Sequence, residues 1–259
     1  VFAYAAIGLL ASIIGVATAR IGKNGDPNKA LSSSTYVTTA VFAVLTALTT
    51  YLFGFEWRIW AATAVGLIVG TVIGIATDYF TNDNKTPVQE VAKASKSGPA
   101  FTILSGFSYG LLSCLPALIG IAISALVAFK VCAPLGAVTG QEAEYGMFGI
   151  SMAALGMLSI VGMIISNDAY GPIVDNARGL AEMGGFGEKV IAITDELDSA
   201  GNTVKAVTKG FSISAAGLTV IALLGAFMSE VNTAAQELGL VAAGESLIKN
   251  FDIMNPTVF

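Results

Sequence analysis

The sequence predicts an all-α fold, a polytopic transmembrane helix bundle. Its 259 residues are 54% hydrophobic and only 12% charged, about half the charged share usual in a soluble domain. The apolar residues fall into six separate runs, about 2–19, 35–53, 59–77, 100–129, 145–166 and 203–228. Runs of about twenty apolar residues match the thickness of a bilayer core crossed as a helix. Ionisable residues gather at the ends of these runs rather than within them. Together the runs make residues 1–259 a single transmembrane domain segment, part of a larger helical bundle, with a polar motif region at 167–202.

The first run opens at Val1 with neither Met nor a signal peptide, which reads as an interior piece of a longer polypeptide. Gly22 to Asn28 is a turn cluster before the second run. The second and third runs are joined by a tight turn at Gly54–Arg58, where Trp57 and Trp60 read as aromatics at the membrane–water interface. After the third run, Thr86-Pro87 followed by Glu90 has the form of a helix start, with Thr86 as cap and Pro87 in the first turn. A short helical extension is expected from there to Gly98-Pro99. Asp78, at the mouth of the third run, is a lesser candidate for an ion path.

The fourth run contains Pro116 and is expected to be kinked or tilted. Cys114 and Cys132 lie in or beside it, without metal-ligand spacing, and read as packing residues. The fifth helix is expected to continue past Ser166 to about Gly184 with a kink at Pro172. The sixth is expected to begin near Thr194 with an acidic first turn. The tail from 230 reads as a mixed loop with an amphipathic turn around Leu238–Leu247, and Met254–Phe259 as the lead-in to another helix.

Cation placement orients the bundle. Alternating loops put ten cations on one side (Arg20, Lys23, Lys29, Lys85, Lys93, Lys96, Arg178, Lys189, Lys205 and Lys209) and three on the other (Arg58, Lys130 and Lys249). The positive-inside rule then makes the first side cytoplasmic. Region 167–202 is cytoplasmic on this count, and both ends of the segment face outward.

Two polar stripes carry the chemistry. Asp168, Asp175 and Glu182 stand seven residues apart, close to two helical turns, so they share one helix face. On the next helix Asp195, Asp198, Asn202, Lys205 and Lys209 follow at steps of three and four. There is no His in the chain, which excludes imidazole catalysis and His-bound zinc. Carboxylates without soft ligands suit Mg²⁺, which takes oxygen donors and reaches the protein through a few carboxylates plus substrate phosphate. Lys and Asn beside them can hydrogen-bond phosphate oxygens. No Walker A loop is present, so P-loop chemistry is not indicated. Residue type and spacing leave two readings open, a Mg²⁺–phosphate site on helix ends and a solvated polar face.

Four stretches resemble the membrane-integral, ion-pumping inorganic pyrophosphatases: Asp78-Tyr-Phe-Thr with Pro87-Val-Gln-Glu-Val; Ala153 to Ser159; Asp168 to Met183; and Thr194 to Thr203 with Lys209 to Ile213. The last two together are the specific pairing, and the resemblance extends over essentially the whole chain. It implies hydrolysis of inorganic diphosphate coupled to H⁺ or Na⁺ transport, several Mg²⁺ ions bound with the diphosphate, and a homodimer. No nucleic-acid partner is implied. The expected location is a plasma membrane or the membrane of an acidic compartment, with the active site on the cytoplasmic side. Family members have about sixteen transmembrane helices, and this chain resembles the seventh to the twelfth. Most Mg²⁺ and diphosphate ligands would then come from the remaining helices of the same pump, and the segment alone is expected to be inactive.

The resemblance assigns roles residue by residue. Asp175 matches the Mg²⁺-binding carboxylate of its helix. Asn202 matches the substrate-contacting Asn, and these two are the catalytic candidates. Asp168, Glu182, Asp195 and Asp198 are expected to support them. Lys205 with Thr208 matches the K⁺-independent subfamily, chiefly proton pumps, in which a tethered ammonium replaces a bound K⁺. Many members carry Gly-Gly where this chain has Arg178-Gly179. A Na⁺-pumping pyrophosphatase is the alternative. Less favoured are a secondary ion-coupled transporter, whose site would lie near the midplane, and a purely structural bundle.

Overall fold

Every regular element in the computed structural model is helical, over the described residues 1–20, 25–242 and 245–248. The helices are α1 (Phe2–Thr18), α2 (Pro27–Phe53), α3 (Trp57–Thr81), α4 (Thr86–Ser95), α5 (Pro99–Cys132), α6 (Glu142–Leu158), α7 (Val161–Met183) and α8 (Glu188–Glu237), with a 3₁₀ turn at Ala133–Gly136. Four stretches are long and apolar enough to cross a membrane: Pro27–Phe53, Trp57–Ser95, Pro99–Gly136 and Glu188–Glu237. The bent pair of α6 and α7 makes a fifth. The expected first span is helical, but α1 has only 17 residues, about 25 Å at 1.5 Å per residue.

Local sequence explains most helix ends. Asp26 caps α2 by accepting hydrogen bonds from the amides of Asn28 (2.9 Å) and Lys29 (3.4 Å), with Pro27 opening the helix. Gly54, in the left-handed region at φ 65°, closes it. The start of α4 is shifted by one residue from expectation. Lys85 occupies the cap position, Thr86 is already helical and makes no capping bond, and Glu90 pairs with Lys93 at 2.8 Å. Trp57 is half exposed, but Trp60 turns inward, its indole N–H donating to the Thr46 hydroxyl at 3.2 Å. Pro116 sits inside an unbroken α5. Cys114 is exposed, while Cys132 is buried, with its thiol 3.6 Å from the Arg58 carbonyl.

Small residues set the packing. A Cβ at Gly66 or Gly156 would overlap the backbone of Ala153 or Thr63 respectively, so α3 and α6 touch backbone to backbone. Gly8 abuts Ser159 in the same way. Such contacts are what helices use where there is no water to drive association. The core joins Phe42, Leu67, Ile73, Met157, Ile164 and Phe211 from α2, α3, α6, α7 and α8. One face of α5, including Phe107, Leu111 and Leu118, stays exposed and apolar.

Three sequence-based boundaries are corrected. The bend in the fifth span lies at Ser159–Ile160, where α6 and α7 meet at 40°, and α7 runs unbroken through Pro172. Ser159 bonds back to the Leu155 carbonyl through its hydroxyl at 2.6 Å, a geometry that bends helices. The sixth helix starts at Glu188 rather than near Thr194, because Gly187 at φ 86° allows the chain to turn. It also continues to Glu237 through what reads as tail, and Asn232 exchanges hydrogen bonds with the backbone of Ile248 at 3.0 and 2.8 Å. Lys23, Lys249 and Met254–Phe259 lie outside the described residues, as does part of the Gly22–Asn28 cluster.

Candidate active site between α7 and α8

α7 and α8 form an antiparallel pair whose closest approach is at two glycines. A Cβ on Gly201 would meet Val174 and lie 3.0 Å from the Gly171 Cα, and a Cβ on Gly171 would occupy the space of the Lys205 stem. Close approach leaves Lys205 one route, along the groove over Gly171. Its side chain is 26% exposed, against 63% for Asp175. The cation is therefore packed in place while the carboxylate stays open.

A chain of polar contacts follows. The Lys205 Nζ lies 3.8 Å from Asp175 Oδ2 and donates to Asn202 Oδ1 at 3.3 Å. Asn202 Nδ2 donates in turn to Asp198 Oδ2 at 3.3 Å. The other oxygen of Asp198 is buried and has no partner among the described residues. An amide that accepts from Lys205 through oxygen must present its NH₂ on the opposite side, so Asn202 keeps a second N–H for an incoming acceptor.

Arg178 closes the outer end of the pair. Its Nε donates to Asp195 Oδ1 at 2.7 Å and its Nη1 to Glu182 Oε2 at 2.9 Å. The Tyr170 hydroxyl donates to the Leu197 carbonyl at 3.4 Å, and the Ser199 hydroxyl to Asp83 of the α3–α4 loop at 2.7 Å. Six of the predicted residues thus fall into two clusters, Asp175 with Lys205, Asn202 and Asp198, and, around Arg178, Glu182 with Asp195. Asp168 stands apart, without a hydrogen bond or ion pair among the described residues, as does Lys209. Thr208 is buried and donates to the Ile164 carbonyl at 3.4 Å rather than toward Lys205. Spacing alone missed Gly171 and Gly201. The signal for them was a small residue on each facing helix, but only the paired register shows that they meet.

Successive carboxylates on α7 are about 10 Å apart along the axis, so the stripe does not gather into a cage. Among the described residues no group of three or more Asp, Glu, Cys or His is placed to hold a metal. The donor set still suits Mg²⁺, which uses one or two protein carboxylates with substrate oxygens. Asp175 is open, and the unpaired Asp198 oxygen is a hard donor without a partner.

The family model for the inorganic H⁺ pyrophosphatase matches residues 1–259. The chain belongs to this family. A putative K⁺-stimulated pyrophosphate-energized sodium pump of Clostridium tetani is 44% identical over 222 residues, covering 85% of this chain and 32% of the relative. A K⁺-insensitive pyrophosphate-energized proton pump of Caldanaerobacter subterraneus subsp. tengcongensis is 38% identical over 242 residues, covering 87% and 33%. A pump of the same description from Pyrobaculum aerophilum is 32% identical over 268 residues, covering 98% and 37%. The chain therefore spans about a third of the length of these curated relatives. Family membership and the apolar helices make it part of an integral membrane protein.

Proposed function

We propose that this chain is a segment of a pump that hydrolyses inorganic diphosphate to two phosphates and moves H⁺ across the membrane without needing K⁺. The observation that carries the reading is the Lys205 ammonium, held between Asp175 and Asn202 at 3.8 and 3.3 Å. A monovalent cation fixed there by the chain itself removes the need for one from solution. Asp175 contributes a metal-binding carboxylate and Asn202 donates to a phosphate oxygen. Asp198 orients Asn202, Glu182 and Asp195 anchor Arg178, and Asp168 supports the site from the same helix. Thr208, buried beside Ile164, steadies the α8 turn that carries Lys205. Mg²⁺, when bound, neutralises the diphosphate and stabilises charge on its oxygens. Carboxylates on the remaining helices of the same pump orient the attacking water.

The working topology has six spans, with α7 and α8 extending into the cytoplasm and the active site on that side. α8 has 50 residues, about 75 Å, against a bilayer of about 40–45 Å with headgroups. This length supports a projecting end, and the excess of cations supports its side. A homodimer in a plasma membrane or an acidic-compartment membrane completes the reading.

The test is diphosphate hydrolysis by the full-length protein in sealed vesicles with Mg²⁺, with and without K⁺, while lumen pH is followed. Hydrolysis and acidification without K⁺ are expected. A strict need for K⁺ would overturn the Lys205 assignment. Asp175→Ala should lower the rate by roughly a hundredfold with the fold intact, as loss of a transition-state-stabilising group does. An unchanged rate removes Asp175 from the site. The Clostridium tetani relative, named a sodium pump, favours a second reading in which Na⁺ is the transported ion. Vesicles that accumulate Na⁺ without acidification would select it. Polar residues clustered at the helix ends rather than the midplane argue against a secondary transporter.

A further inference from the structure

Trp60 holds α2 and α3 together near the turn that joins them, through its bond to Thr46. Toward the cation-rich end of the bundle a half-open cavity of about 90 Å³ lies between the two helices, floored by α7 and α8. Its walls run from Asn28 to Tyr36 on α2 and from Gly70 to Asp78 on α3, about 12 Å of helix on each side. One leaflet contributes about 15 Å to the hydrocarbon core of a bilayer, so the cavity spans most of a leaflet.

Polarity is graded along that length. At the deep end Phe211 packs so close to Gly70 that a Cβ there would overlap its ring, and Ile164 completes the wall. Midway, the Thr35 and Thr71 hydroxyls donate to the Leu31 and Leu67 carbonyls at 3.2 and 2.9 Å, and the Asn167 amide donates to the Leu31 carbonyl at 3.4 Å. These donors are spent within the protein, which leaves a mainly apolar wall. At the cation-rich end stand Asn28, Ser32 and Asp78. One Asp78 oxygen accepts from Asn82 at 3.2 Å. The other oxygen, and the side chains of Asn28 and Ser32, make no hydrogen bond among the described residues. On the rim Tyr36 and Ile75 are 47% and 52% exposed, with Val37 and Val72 exposed beside them. On spanning helices such apolar exposure is to lipid.

We propose that the cavity seats one phospholipid with a primary-amine headgroup, from the leaflet at the cation-rich end. The headgroup ammonium donates to Asp78, whose unpaired charge is costly so close to the apolar core. Asn28 and Ser32 donate to the lipid phosphate. One acyl chain runs inward past Ile75 toward Phe211, with its outer side left among neighbouring lipids. An acid next to two neutral donors complements a zwitterion. A headgroup without an amine would bring its phosphate beside Asp78 with nothing to neutralise the carboxylate, and a quaternary ammonium has no N–H to donate. The inference needs only that the chain lies in a membrane. It is independent of diphosphate hydrolysis and of the direction in which the bundle faces.

The experiment is photocrosslinking of the full-length protein in bilayers that carry phosphatidylethanolamine with a diazirine on its acyl chain, or phosphatidylcholine with the same chain. Labelled positions are mapped by peptide mass spectrometry. Labelling of 31–36 and 71–78 is expected, stronger for phosphatidylethanolamine by about tenfold, the worth of one charge-assisted hydrogen bond. A Cβ at Gly74 meets only Val207, at 3.6 Å, so Gly74→Leu fills the cavity without a backbone clash. It should abolish labelling of the lining and leave labelling elsewhere unchanged. Asp78→Asn should keep the labelling and erase the preference between headgroups. An unlabelled lining, the result if another part of the pump fills the cavity, would overturn the proposal. So would equal labelling by the two lipids in the wild type, which needs no variant to fold. Undiminished labelling in Gly74→Leu, or a preference retained in Asp78→Asn, would overturn it as well.

Discussion

Lys205 owes its position to the absence of a side chain opposite. With Gly171 beneath it, the stem lies flat against α7 and the ammonium reaches Asn202 and Asp175. Replacing Lys205 by Ala removes the fixed charge and opens space in the same step. Hydrolysis without K⁺ should then fall roughly ten- to a hundredfold, the worth of a charge-assisted contact of about 1.5–3 kcal/mol, and added K⁺ should restore part of it. Rates measured across a K⁺ titration decide this, and a Lys205→Ala protein that is equally active with and without K⁺ contradicts the assignment. Arg178 acts differently, as a clasp on solvent-exposed carboxylates. Arg178→Ala should raise hydrogen exchange at amides near the start of α8. The difference should vanish near 1 M salt, where screening acts over about 3 Å.

Between α7 and α8 the controlling quantity is interaxial distance. Gly201 lets Val174 and Gly171 come close, and the one contact of the polar chain that crosses between the helices, Lys205 to Asp175, depends on that approach. Gly201→Ala inserts a methyl where none fits, at a cost of about 1–3 kcal/mol from overpacking. The pair should separate, and the Michaelis constant for diphosphate should rise along with a lower melting temperature. Gly54→Ala meets no atom within 4 Å and is a control for the space effect alone. It still disfavours the left-handed backbone that ends α2, so a small loss of stability without a change in Michaelis constant is expected there.

At the scale of the whole bundle, orientation decides on which side of the membrane the α7–α8 tips lie. Asp83 of the α3–α4 loop bonds to Ser199 of α8, and Asn167 of α7 bonds to Leu31 of α2. These contacts gather the cation-rich loops at one end of the bundle. Single cysteines placed in full-length protein freed of its native cysteines, Cys114 and Cys132 among them, read the orientation directly. In intact cells Val138→Cys, at a site 97% exposed, should react with an impermeant maleimide, and Asn84→Cys only after permeabilisation. The reverse pattern would put the α7–α8 tips outside and remove the cytoplasmic site.

Read one residue after another, the chain determined a great deal. The six apolar runs all lie on helices, because a backbone without water must satisfy its own hydrogen bonds and a helix does so locally. The Pro27 start and the Gly54 stop are likewise local, since a fixed φ and a left-handed turn depend on no distant partner. The polar stripes were legible as periodicity, and the pairing of motifs carried the family. Tertiary structure alone decided the rest. The bend at Ser159–Ile160, rather than at Pro172, comes with the contact of Gly8 on Ser159, across far more sequence than any window spans. Arg178 finds Asp195 at 17 positions' remove only because two glycines bring the helices into register. The cavity between α2, α3, α7 and α8 is lined by residues from Asn28 to Phe211, drawn together from four helices by packing alone. A periodic pattern tells which face of a helix is polar. Which polar faces meet is set by the packing of the bundle as a whole, where close contacts and distant residues act together.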